Sequence, residues 1–265
     1  MRRSSFFWGS ILILAGVLLL LDNLNLIQVS FWRLFWPLLL VAIGLWMVLE
    51  ATSRRHSSVG VSQVTIPLEG AQRARVRVRY GAGRLSMNAG AGPSELASGS
   101  FGGGLDHQAR REGDLLDVEM RMPTERFAWV WGGSRDAYNW SLALNGEIPL
   151  ALNLETGASD MKLDLGELRV TELRLKTGAS STHLTLPAHA GNTRVDIKAG
   201  AASLDVRVPM GVAALIRIDG SLAGIKVDTS RFPRLGDVYQ SSDYGTAANK
   251  MDIEVHIGAG SIDIR

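Results

Sequence analysis

The chain has 265 residues, 28 Lys+Arg against 26 Asp+Glu, a formal net charge of +2, and no cysteine. A near-even balance with no run of five like charges leaves no nucleic-acid footprint. The lack of cysteine excludes disulfide scaffolds, thiolate nucleophiles and Cys-ligated zinc.

Apolar residues are concentrated at the start. Residues 4–50 hold only three charged side chains, Asp22, Arg33 and Glu50. Within them Phe6–Leu21 and Leu34–Leu49 are apolar runs of 16 residues each. As a helix such a run is about 24 Å long, somewhat short of a ~30 Å hydrocarbon core, and flanking residues can extend it. Trp8, Trp32, Trp36 and Trp46 accompany the runs, three of them near a span end, where the amphipathic ring favours the headgroup level. Residues 22–30, DNLNLIQVS, read as a short exposed turn, and Pro37 falls in the first turn of the second run, where it is tolerated. The expectation is a two-helix transmembrane hairpin over residues 1–50, with spans at about 6–21 and 34–49. Arg2-Arg3 before an apolar stretch also has the form of a signal peptide, but no small-x-small cleavage site follows Leu21. Buried helices of a soluble protein would each show a polar face, and neither run has one. Arg2, Arg3, Arg54, Arg55 and His56 flank the pair, against Arg33 alone between them. That asymmetry predicts both termini, and the domain that follows, on the cytoplasmic side.

Residues 51–70 read as a linker with little periodicity. From there the chain is all-β, with 71–150 as an N-terminal part and 151–265 as a repeat. The segments VRVRYGAGRLSM (76–87), LNLETGASDMKLDL (152–165), LRLKTGASSTHLTL (173–186), VDIKAGAASLDVRV (195–208) and VHIGAGSIDI (255–264) align on their glycines, with IRIDGSLAGIKV (216–227) as a weaker copy. Gly157, Gly178, Gly200 and Gly220 stand 21, 22 and 20 residues apart. A period of that size, with two short alternating strands per unit, predicts stacked β rungs in a solenoid-like array. Leu173, Leu175, Leu184 and Leu186 should face inward, and Arg174, Lys176, Thr182 and Thr185 should face water. Gly-Ala-(Ser/Gly) supplies a corner where the backbone is crowded or left-handed, and Pro187 and Pro209 close two rungs.

Within the first part, Phe127, Trp129 and Trp131 alternate with small residues, a turn follows at 132–136, and Tyr138 and Trp140 resume the alternation. This predicts a hairpin with five aromatics on one face. Such a face can cap the open end of a stack or serve as a partner-binding surface.

Catalytic patterns are missing. His56, His107, His183, His189 and His256 show no ligand spacing. No G-x-S-x-G elbow occurs, and the glycines at 102–104 lack a following G-K-[ST]. Asp160, Asp164, Asp205, Asp228 and Asp263 lie on rungs or their turns, interleaved with Arg207 and Lys226, as on a solvated face. No catalytic residue, metal site or cofactor is expected.

The tracts IPLALNLETGASDMKLDL (148–165), LRLKTGASSTHLTLP (173–187), IKAGAASLDVRVPMGVAALIRI (197–218), RFPRLGDVYQSSDYGTAANKMDIEV (231–255) and the terminal GAGSIDIR resemble the toast-rack β domain of the LiaF-like, cell-wall-active-antibiotic response family. Residues 9–49 are similar to the membrane hairpin of LiaI/LiaF-type proteins. The resemblance implies a membrane-anchored β domain, and the family includes modulators of envelope-stress two-component systems. The expected function is therefore non-enzymatic: binding of a protein partner, such as a sensor kinase or another membrane protein. The rival is an outward-facing adhesin-like or polysaccharide-binding β-helix.

Overall fold

The structure, a computed structural model, describes residues 36–37, 39–41, 43–46, 61–123, 138–189 and 191–265. The chain divides into two compact units, residues 1–57 and 58–265. In the first unit the described residues, all from the second apolar run, are helical. Trp36, Leu40, Val41, Leu45 and Trp46 are exposed there. No helix among the described residues is long and apolar enough to cross a membrane. The first predicted span lies outside the described residues.

The described residues of the second unit form one sheet of thirteen strands: β1 (Val61–Pro67), β2 (Arg73–Ala89), β3 (Glu95–Gly102), β4 (Asp106–Glu112), β5 (Leu115–Arg121), β6 (Trp140–Leu144), β7 (Leu150–Asp164), β8 (Val170–Thr185), β9 (Asn192–Arg207), β10 (Ala213–Val227), β11 (Arg234–Leu235), β12 (Val238–Gln240) and β13 (Lys250–Ile264). Its centre is a parallel stack in the order β2-β7-β8-β9-β13-β10. The segment read as a linker therefore contributes β1. That strand buries only Ile66, which is why it leaves so weak a periodic signal.

Each rung is one continuous strand of 15–17 residues, where two short strands were expected. The burial pattern shows how one strand serves as two. In β8, Leu173, Leu175 and Thr177 are buried, then Thr182 and Leu184. The inward parity changes from odd to even across Gly178-Ala179. The same switch occurs in β2, β7, β9 and β13. Because both sets enter a single core, the strand folds over at the glycine and its two arms wall the same interior. This corrects the placement of Thr182, expected in water but buried, its hydroxyl donating to Ser180 Oγ at 3.3 Å. Thr182 shares the parity of Leu184 and Leu186, so the alternation of the second arm carries it inside. Arg174 and Lys176 are exposed as expected, and Leu175 and Leu186 are fully buried.

The glycines at the bend are there for room. A Cβ on Gly157 would lie 2.5 Å from Gly81 O, on Gly178 2.9 Å from Gly157 O, on Gly200 2.7 Å from Gly178 O, and on Gly258 2.7 Å from Gly200 O. These four have ordinary φ, so crowding by the neighbouring rung selects them, not a left-handed backbone. Gly220 is not part of this column. The register pairs it with Ile257, one residue short of Gly258. Chain order and sheet order differ: β13 enters between β9 and β10, so the weaker copy forms the outermost rung.

Candidate functional site

A buried aromatic group closes the β2 end of the stack. Trp140, the first residue of β6, is 1% exposed, lies edge-on to Phe101 at 5.0 Å and tilted against Tyr80 at 5.1 Å, and donates from Nε1 to Gly102 O at 3.1 Å. Tyr80 donates its hydroxyl to the Tyr138 carbonyl, and burial pushes its phenol well above the ordinary range. Glycines admit the rings: a Cβ on Gly83, at φ +126°, would strike the Tyr80 hydroxyl, and one on Gly103 would meet the Tyr138 ring. Of the five aromatics predicted to share one face, Tyr138 and Trp140 thus belong to the core. They present no surface to a partner, because shape-filling and the Trp140 hydrogen bond bury them. Phe127, Trp129 and Trp131 lie outside the described residues, and partner binding by this segment would rest on them. Tyr80 and Phe101 were not singled out from sequence. Tyr80 occupies a core slot that the next rungs fill with Thr156, Thr177 and Ala199, a substitution visible once the rungs are aligned.

The outer side of the stack carries a second feature, a groove of about 680 Å³. In-register parallel pairing places equivalent positions of successive rungs about 4.8 Å apart, so the residue two places before each bend glycine becomes one member of a row. The row reads Arg79, Glu155, Lys176, Lys198 and His256, and the register sets Asp219 of β10 beside His256 as its last member. Glu155 takes Arg79 at 3.4 Å and Lys176 at 3.8 Å. Lys198 lies 3.7 Å from Asp196, and His256 lies 3.1 Å from Glu254 and 3.5 Å from Asp219. Gly200 and Gly258 also line the groove. These side chains are solvated, so each pair contributes little stability; their value is a charge pattern held on a rigid frame. Further along the same arm Arg121 hydrogen-bonds Glu119 through two nitrogens and holds its carboxyl below the usual range.

Among the described residues no three His, Asp or Glu converge on a metal position. His183 Nδ1 sits 3.4 Å from Asp205, which Arg265 also holds at 2.7 Å. The site can bind charged groups by complementarity; the described part of the groove pairs no nucleophile with a base.

A family model described as the N-terminal domain of toast_rack, DUF2154, matches residues 55–207, more than half of the chain. The chain belongs to this toast-rack family. A second family model, the LiaI-LiaF-like transmembrane region, matches residues 6–48, and the protein is accordingly membrane-associated. Among solved structures the chain is similar to a candidate cell adhesion protein from Clostridium sporogenes, at 20% identity and a TM-score of 0.68, over 77% of this chain and 98% of that one. At that identity the likeness is one of fold. No curated protein matches the chain.

Proposed function

We propose that this protein is a non-enzymatic, membrane-anchored adaptor whose β domain docks a protein partner in cell-envelope stress signalling. The observation that carries the reading is the row Glu155–Lys176–Lys198–His256–Asp219, which lines an open groove and continues beyond it to Arg79, on a domain that shares its chain with a LiaI-LiaF-like membrane region. Rows of this kind recognise a partner segment of complementary charge. The flanking arginines Arg2, Arg3, Arg54 and Arg55 favour a cytoplasmic β domain, where a sensor kinase or another membrane protein would meet it.

The test is affinity capture from membranes with the full chain and with Lys176→Glu/Lys198→Glu. Both lysines are exposed, so the variant should keep its unfolding midpoint while losing its specific companion. An unchanged set of companions would overturn the reading. The second reading, an outward-facing adhesin-like protein, is favoured by the description of the Clostridium sporogenes neighbour. A reporter fused after Arg265 that is active only outside the cytoplasm would select it.

A further inference from the structure

The four edges at the two ends of the stack are not treated alike. At the β2 end the first arm is paired with β5 and the second with β6. At the β10 end the first arm is paired with β12 through Leu215–Arg217. The second arm of β10, residues 221–227, has β13 on one side and no strand on the other among the described residues. The core row Leu85, Met161, Thr182, Leu204, Ile262, Ile225 runs the length of the stack. It starts at 0% exposure on Leu85, beneath Trp140, and ends at 42% on Ile225. The column beside the bend glycines is alanine on five successive rungs, Ala82, Ala158, Ala179, Ala201 and Ala259, and then becomes Leu222, 80% exposed.

An open edge of this kind is a template for strand pairing. We propose that the second arm of β10 is a self-association edge, and that its occupant is the same arm of a second copy, antiparallel about a two-fold axis through Ile225. The sequence of the edge is self-complementary in that register. Ile225 meets Ile225 of the partner, and the inward-leaning Ala223 and Val227 meet each other. Outward, Lys226, the only charge in 221–227, falls opposite Gly224. No like charges are opposed, and Lys226 is already satisfied by Asp263 at 3.2 Å on its own sheet. An isologous contact of this kind closes at two copies. The edge is short, about 24 Å at ~3.4 Å per residue, and buries less than the ~1,200–2,000 Å² of a stable soluble interface. Confinement of both copies to one membrane raises their effective concentration and supplies the difference.

The chain has no native cysteine, which allows a direct test in membranes. With Ile225→Cys in the full chain the two Cβ atoms stand about 4.5–5.5 Å apart across the pair, and mild oxidation should convert most of the protein to a disulfide-linked dimer. Ser203→Cys, exposed in the middle of the stack, should stay monomeric. Ala223→Cys and Val227→Cys should cross-link to each other more than either does alone. Energy transfer between labelled copies in proteoliposomes separates pairing from folding. Ile225→Lys and Ile225→Glu should each lose the transfer, and an equal mixture should regain it, which misfolded chains cannot do. The proposal is overturned if Ile225→Cys remains monomeric, if it joins a different polypeptide, or if the mixture does not recover.

Discussion

The same chemical change, glycine to alanine, should have three different outcomes at three positions. At Gly245 an added Cβ meets nothing within 4 Å and φ is unremarkable. Gly245→Ala then acts mainly by restricting the unfolded chain, and should be neutral or stabilising by up to about 0.4–1 kcal/mol. At Gly200 the Cβ would lie 2.7 Å from Gly178 O. That oxygen belongs to a backbone pinned on both sides, because β8 pairs with β7 and β9 along its whole length. Overpacking of this sort costs ~1–3 kcal/mol, of which the entropy gain offsets part, leaving a net loss of about 1–2 kcal/mol. At Gly260 the Cβ would sit 1.9 Å from Ala202 O, and φ is +128°. A left-handed conformation adds ~1–2 kcal/mol for an L-residue to the crowding, so Gly260→Ala should lose about 2–5 kcal/mol. Urea unfolding of the full chain in detergent, followed by β-sheet circular dichroism, reads all three as midpoint shifts at constant slope. Should Gly200→Ala stabilise as much as Gly245→Ala, crowding by the neighbouring rung is not what the bend glycines answer.

Leu175→Ala should cost about 2–5 kcal/mol, because Leu154 and Ile197 hold the walls of the cavity apart. Lys176→Ala should stay within roughly 0.5 kcal/mol, and equal losses would mean that the burial of the first arm is misassigned. Burial raises the Tyr80 phenol above its unfolded value of about 10. Above that pH the unfolded chain ionises while the folded one does not, so stability should fall as pH rises. Tyr80→Phe removes this slope and loses the hydrogen bond to the Tyr138 carbonyl, so the gap between the two proteins should narrow between pH 9 and about 11. Parallel unfolding curves across that range would place the phenol in solvent.

The stack was legible because in-register parallel pairing makes every rung solve the same problem. Leu173, Leu175, Leu184 and Leu186 announce the two inward arms, and Gly157, Gly178 and Gly200 the crowded bend. Three things resisted. Polarity alone sets Thr182 with the outward threonines, although it shares the parity of Leu184 and Leu186 and so falls on the inner face of the second arm. Gly220 lies at the expected spacing but one residue off the column, because spacing cannot distinguish a neighbour in sequence from a neighbour in the sheet. The insertion of β13 between β9 and β10 leaves no local mark at all, since either strand fits against β9 by pattern alone. Of the aromatic segment, alternation does not tell a buried face from a binding one; Trp140 and Tyr138 turn into a core completed by Tyr80 and Phe101, residues from other strands.

The placement of β13 bears on how the chain is made. During synthesis β8 and β9 can each add to the rung before it as soon as it emerges, with a lag of about one repeat, whereas β7 reaches back 76 residues to β2. β10 comes next, yet its slot is beside a strand that does not exist until residues 250–264 have been translated. Ser203 of β9 finds Ser261 of β13 at a separation of 58 residues, against 22 for the His183–Asp205 contact between β8 and β9. Among the rungs that follow β7 that loop is the longest to close, and it should slow completion of the stack. A ribosome stalled just before Lys250 would hold a nascent chain with the edge of β9 bare and β10 matched only by the short β12, two adhesive strands at once. The same is true of a transcript truncated there, so loss of the final fifteen strand residues should produce aggregation, where removal of an outermost rung would have left a shorter stack.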